Sequence, residues 1–117
     1  MRRSHAGAHL SEEQREILVM ARKFARRELR PGAEERDANE VSMDLGPIRQ
    51  LGDLGFLGML IPEEYDGLGL DMLTYLSVLE EIAWGDAAVA VSMSVHNSLP
   101  TQTLLRHGSS EQKEQWL

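Results

Sequence analysis

Serines and a histidine crowd one short segment that could supply a nucleophile and its base. They are Ser92, Ser94, His96 and Ser98. Nucleophilic catalysis also needs an acid that orients the histidine and a sharp turn that presents the serine. The neighbouring sequence offers neither feature. We therefore predict no catalytic residue in this chain.

Paired acids and spaced histidines could hold a proton or a metal ion. Successive helix positions point about 100° apart, so Glu80 and Glu81 cannot converge on one substrate atom. We expect both to be solvated, as at the Glu63-Glu64 pair. The helical i, i+4 ligand spacing occurs at His5 and His9, within the presumed leader. No metal site is predicted.

Glycines at 52, 55 and 58 form a series that invites comparison with a dinucleotide-binding loop. Such a loop needs a preceding strand, a following helix and an acid about 20 residues later. Here the glycines lie between a helix end and a proline-containing loop. They are interpreted as caps and turns, and no cofactor-binding residue is predicted.

Composition excludes several classes of function. The 117 residues carry 12 Lys and Arg against 19 Asp and Glu, a net charge of −7, and no cysteine. Thiol chemistry, disulfides and iron–sulfur clusters are thereby excluded. The acidic balance argues against nucleic-acid binding. The longest uncharged run, residues 87–105, is too polar for a membrane span.

Helix start signals recur along the chain. Two of them have the capping-box spacing, Ser11 with Gln14 and Ser109 with Gln112. The full set of predicted caps is Ser11, Asp44, Asp71, Asp86, Ser98 and Ser109. The pattern predicts an all-α, up-and-down-like bundle of about five to six helices. Residues 1–10 are expected to form a disordered leader, with residues 11–117 forming one domain.

The connections are less regular. Pro31 is expected to end or kink the first helix, leaving residues 32–42 as an irregular connection. Residues 56–61 are predicted to be extended, and Gly85 is expected to occupy C′ after the third helix. The last helix has no ending at Leu117, which predicts that the bundle is truncated at its C-terminus.

Two helical segments have unusual patterns. In the third helix, Thr74, Ser77 and Glu81 form a polar line with Glu80 beside it. The apolar residues cover the rest of the helix and form a wide face that we expect to be mostly buried: Met72, Tyr75, Leu76, Val78, Leu79, Ile82 and Ala83. Residues 88–95 alternate with period two, as a strand would. A helix is still preferred there, because Asp86 can cap it and no second strand-like segment is present to pair with it.

Several blocks of sequence, taken together, are characteristic of one protein family. The central block, residues 51–71, reads LGDLGFLGMLIPEEYDGLGLD. Three others agree with it in order: LSEEQ at 10–14, LEEIAWGDAAV at 79–89, and VHNSL at 95–99 leading to GSSEQKEQWL at 108–117. Together these blocks resemble the N-terminal helical domain of the acyl-CoA dehydrogenase family, and the resemblance covers nearly the whole chain beyond the leader.

The resemblance implies the N-terminal part of an FAD-dependent enzyme that dehydrogenates an acyl-CoA thioester between its α and β carbons. Family members add a central β domain and a C-terminal helical domain, which supply the catalytic glutamate and most FAD contacts. An electron-transfer flavoprotein or similar acceptor, homo-oligomeric assembly and a cytoplasmic location, or the mitochondrial matrix in a eukaryote, are expected. The isolated chain is expected to be inactive.

The same resemblance implies that this domain forms one wall of the acyl-chain pocket. The matching positions are Ser92, Val95, His96 and Leu99, spaced i, i+3, i+4 and i+7. Their alternative role is as ordinary core residues. A sibling flavoenzyme, such as an acyl-CoA oxidase, nitroalkane oxidase or flavin monooxygenase, is an alternative function for the whole protein. A non-catalytic helical assembly module is another.

Overall fold

The computed structural model describes residues 10–38 and 45–117. Within these residues the structure is all-helical, with seven α-helices, a π-helical segment, a short 3-10 turn and no strand. The predicted all-α fold is confirmed. The predicted leader, except Leu10, and the predicted Asp44 cap lie outside the described residues. Leu10 itself is buried.

The first two helices form one continuous rod. Helix α1 (Glu12–Phe24) passes into a π-helical segment (Ala25–Leu29), and α2 (Arg30–Ala38) follows directly. The prediction of an irregular connection after Pro31 is therefore wrong for residues 32–38. A proline ring normally clashes with the carbonyl four residues earlier, here that of Arg27. The wider π turns immediately before Pro31 change this spacing, so the rod continues through the proline.

A short helix and a series of turns connect this rod to the centre of the fold. Helix α3 (Gly46–Asp53) has Pro47 in its first turn, as predicted, and buries Leu51. Residues 54–61 form consecutive turns rather than the predicted extended piece. Gly55 adopts a φ of 84°, which glycine tolerates best. A 3-10 turn (Glu63–Tyr65) precedes the next helix.

Helices α4 (Met72–Gly85) and α5 (Ala87–Ser98) form the central pair. Asp71 caps α4 and Asp86 caps α5, as predicted. Gly85 is not the predicted C′ residue, because it lies inside the last turn of α4. A Cβ there would lie 3.0 Å from Ala25 and Leu29, so the missing side chain lets α4 approach the first rod closely.

Two short helices complete the described structure. Helix α6 (Pro100–His107) follows α5 at Leu99, and α7 (Ser110–Trp116) begins with the predicted Ser109–Gln112 capping box. Among the described residues, no helix combines the length and apolar character needed to span a bilayer.

Helix α4 buries part of its apolar face, as expected, but it also buries its polar line. Tyr75, Val78 and Ile82 are buried together with Thr74, Ser77 and Glu81, whereas Met72 and Leu76 of the predicted apolar face are largely exposed. Each of two polar side chains meets a partner on α1. Gln14 donates to the Thr74 hydroxyl at 2.8 Å, and Arg22 donates to Glu81 at 2.9 Å.

The prediction that paired acids are solvated is correct for Glu63, Glu64 and Glu80, which are exposed. It is wrong for Glu81, which is 1% exposed. A buried carboxylate requires a compensating charge or hydrogen bonds, and the Arg22 guanidinium provides both across the helix interface.

Candidate functional site

Helix α5 has two opposite faces of different character. The inner face is buried against α3, α4 and the turns after α3, and consists of Val89, Ala90, Met93 and Asn97. The outer face carries three large apolar residues at i, i+4 and i+8, which we call the α5 outer line: Val91, Val95 and Leu99. Their exposed fractions are 62%, 45% and 63%. These residues are therefore surface residues of this chain and not core.

The four residues of the predicted pocket wall lie along this outer side of α5. Val95 and Leu99 belong to the outer line, His96 is exposed beside them, and Ser92 is half-buried. Val91 was absent from the predicted set, although its i−4 relation to Val95 places it on the same line. The spacing alone could therefore have added Val91 to the predicted set.

The junction after α5 preserves this arrangement. Ser98 was predicted to cap the next helix, but α5 continues through Ser98, and Leu99 is the residue between α5 and α6. The Leu99 N–H donates to Val95 O at 2.9 Å. Leu99 therefore keeps its helical relation to Val95, and the outer line is unbroken.

Polar groups on α5 are largely satisfied by the helix itself. The Ser92 hydroxyl donates to Ala88 O at 3.2 Å, and the Ser98 hydroxyl donates to Ser94 O at 2.7 Å. Residues 87–98 contain no Asp, Glu, Lys or Arg. This face can therefore contact an apolar group without placing a charge or an unpaired hydroxyl donor against it.

Asn97 and Thr101 are two buried polar residues whose roles sequence reasoning did not identify. The Asn97 amide bonds to the backbone at Phe56, Met59 and Met93. The Thr101 hydroxyl lies 2.9 Å from His96 O and 2.8 Å from Asn97 O. Pro100 has no N–H to donate to His96 O, so Thr101 supplies a donor at the helix break.

The titratable side chains of the described residues are spread over the fold. Within residues 10–38 and 45–117, no cluster of three or more His, Asp or Glu side chains could hold a metal ion. Hydrogen bonds from the Thr74 side chain and backbone lower the pKa of Asp71, the N-cap of α4, below its ordinary 3.8. The feature that distinguishes α5 is its exposed apolar line.

Comparison with known proteins assigns this architecture. The family model described as "Acyl-CoA dehydrogenase, N-terminal domain" matches residues 11–117. The short-chain specific acyl-CoA dehydrogenase of Rattus norvegicus mitochondria is 40% identical over 113 residues, covering 97% of this chain and 27% of that protein. The chain thus spans about a quarter of the length of the curated relatives that it matches.

Two solved structures share the fold. Butyryl-CoA dehydrogenase from Megasphaera elsdenii superposes with a TM-score of 0.85 and 32% identity, over 100% of this chain and 30% of that one. A chain from a study of the electron transferring flavoprotein of Acidaminococcus fermentans superposes with a TM-score of 0.86 and 38% identity, over 93% of this chain and 28% of that one.

Proposed function

The chain belongs to the acyl-CoA dehydrogenase family as its N-terminal domain, and on this premise we propose that the α5 outer line forms one wall of an acyl-chain pocket. The enzyme that contains this domain would remove hydrogen from the α and β carbons of an acyl-CoA thioester. The named relatives are dehydrogenases, which supports this reaction over the oxidase and monooxygenase alternatives.

The observation that carries the proposal is the exposure of Val91, Val95 and Leu99 on a helix without formal charge. Fully covering a Val or Leu side chain contributes about 1.5–3 kcal/mol. Because each of the three is roughly half exposed, covering the line would contribute about 3 kcal/mol in total. A linear hydrocarbon chain matches such a straight apolar line, and the absence of charge avoids a desolvation cost.

Two observations support the proposal that FAD binds mainly outside this chain. The described residues contain no strand followed by a glycine-rich loop and a helix, the common arrangement for a dinucleotide. Arg36 lines a cleft of about 600 Å³ and carries a charge that could meet a phosphate. However, that guanidinium already donates to Asp86 at 2.6 Å and to Leu29 O at 3.0 Å. We therefore assign FAD binding mainly to parts of the enzyme outside this chain.

The remaining expectations depend on the whole enzyme. We propose that an electron-transfer flavoprotein or similar acceptor receives the electrons and that the enzyme is a homo-oligomer. A cytoplasmic location, or the mitochondrial matrix in a eukaryote, agrees with the mitochondrial relatives and with the lack of cysteine. The isolated 117-residue chain is expected to be inactive, because the resemblance places the catalytic glutamate in the C-terminal domain of the family.

The proposal is tested by changing the bulk of the outer line in the FAD-loaded enzyme that contains this chain. Val95→Phe should favour shorter acyl groups, and Leu99→Ala should admit longer or branched ones. One methylene in such a pocket is worth about 10- to 200-fold in kcat/KM. Val19→Phe is a matched control, since Val19 is 48% exposed on α1, away from α5. If both α5 variants keep the parent's ranking of acyl-CoA substrates, the pocket assignment is wrong.

A further inference from the structure

Asn97 connects α5 to the turns that follow α3. Its Oδ1 accepts from the Met59 N–H at 3.2 Å, and its Nδ2 donates to Phe56 O at 2.9 Å. Both partners are backbone groups about 40 residues earlier in the chain. Nδ2 also donates to Met93 O on α5 itself, at 2.9 Å. One buried amide therefore makes three hydrogen bonds, two of them across an interface.

Asn97 lies on the side of α5 opposite the outer line. Helix residues advance by about 100°, so Asn97 lies about 200° from Val95, and Leu99 lies a further 200° or so from Asn97. Asn97 is therefore almost diametrically opposite both residues. A bond that prevents rotation of the inner face also determines the direction in which the outer line points.

Apolar packing constrains the rotation of α5 about its axis less strictly than the hydrogen bonds of Asn97 do. The other inner residues, Val89, Ala90 and Met93, make apolar contacts that tolerate small shifts. Hydrogen bonds are directional and weaken steeply when misaligned. Leaving the Phe56 carbonyl or the Met59 N–H unpaired inside the protein is also costly. The amide of Asn97 is thus the orienting contact of this interface.

We propose that Asn97 is a positioning residue for substrate specificity: by bonding α5 to the backbone of residues 56–59, it sets the direction of the α5 outer line and hence the acyl length that the pocket accepts. This inference rests on the proposed function. Asn97 is buried on the opposite side of the helix from the wall, so it acts through Val95 and Leu99 without touching the acyl chain.

Two variants of the holoenzyme separate the bonds of Asn97. Asn97→Ala removes all three. Asn97→Asp keeps an acceptor for the Met59 N–H but loses the donor to Phe56 O. Hydrogen exchange at the Met59 amide should accelerate by about tenfold or more in Asn97→Ala and by less in Asn97→Asp. Unchanged exchange at Met59 in Asn97→Ala would overturn the inference.

The second readout is the ratio of kcat/KM for two straight-chain acyl-CoA esters that differ by two methylenes. Both variants should change this ratio by about tenfold, since a shifted wall alters the space for the end of the chain. Val78→Ala is the matched control for lost stability, because Val78 is fully buried on α4. It should leave the ratio within about twofold of the parent.

The outcomes distinguish this inference from the proposed function. If Val95→Phe changes the ratio and Asn97→Ala does not, the pocket is correctly placed and the role of Asn97 is refuted. If neither changes it, the pocket itself is wrongly placed. If Val78→Ala changes the ratio as much as Asn97→Ala, the effect reflects general destabilisation, and the positioning role is again refuted.

Discussion

Removing Arg22 should destabilise the domain strongly, because Glu81 would lose its guanidinium partner. The Arg22 guanidinium donates to Glu81 Oε1 at 2.9 Å and 3.2 Å. The side chain of Glu81 is 2% exposed and that of Arg22 is 39% exposed. Breaking a fully buried pair costs about 3–5 kcal/mol. Water reaches Arg22, so part of this interaction is screened, and we expect Arg22→Met to cost about 2–3 kcal/mol.

The decisive comparison is with the double variant. Glu81→Gln removes the buried charge, so adding it to Arg22→Met should restore part of the lost stability. Urea unfolding, followed by circular dichroism at 222 nm, measures all four proteins of the cycle. Arg49→Met is the control, because Arg49 is exposed on α3 and its loss should change stability by less than about 0.5 kcal/mol.

The double-mutant cycle measures the interaction free energy between Arg22 and Glu81. If Glu81→Gln destabilises the Arg22→Met protein as much as it destabilises the parent, the two side chains contribute independently. The burial of Glu81 would then need a different explanation, and the charge pair would not be what holds α1 against α4.

Three further outcomes are expected. Gly85→Ala should destabilise the chain by about 1–3 kcal/mol in urea unfolding, since its Cβ would press on the first rod. Gly52→Ala is the control: its Cβ would lie at an ordinary 3.5 Å from the nearest neighbour, so it should be neutral or slightly stabilising. The folded-state pKa of Asp71 is lowered, so its charged form stabilises the fold above about pH 4, and this contribution is lost as the pH falls through the lowered pKa. The Tm of Asp71→Asn should therefore fall less steeply in acid than the Tm of the parent. Parallel profiles of Tm against pH would contradict this. The isolated chain should purify without flavin absorbance and self-associate through its exposed apolar residues, so stoichiometric flavin or a strictly monomeric sedimentation profile at high concentration would count against the respective expectation.

Local signals in the sequence were sufficient to place most helix starts. Ser11, Asp71, Asp86 and Ser109 each cap the predicted helix, because a cap bonds to a backbone N–H two or three residues away. The i, i+4 spacing of Val95 and Leu99 was likewise readable. Such features depend on near neighbours in the chain, and so the sequence determined them directly.

Local rules compete at three positions, where the sequence alone did not determine the outcome. Serine often caps a helix, but the Ser98 hydroxyl donates to Ser94 O, and α5 continues through Ser98. Pro31 should interrupt a helix, yet a π segment carries the rod through it. Gly85 could have followed α4 as its C′ residue, but it is the last residue of the helix and permits a close approach to Ala25. Two local conformations are feasible at each position, and at Gly85 the packing of α4 against Ala25 and Leu29 selects one.

The direction in which each helix faces came only from the tertiary structure. By composition, α4 should bury its apolar residues and expose its polar line. However, Gln14 and Arg22 on α1 bind Thr74 and Glu81 of that line, which therefore faces the core. In α5, the apolar residues at Val91, Val95 and Leu99 could equally have been core. The amphipathic period of a helix defines its faces but not which face meets a partner, since that depends on residues about 40 to 60 positions away that become neighbours only when the chain folds.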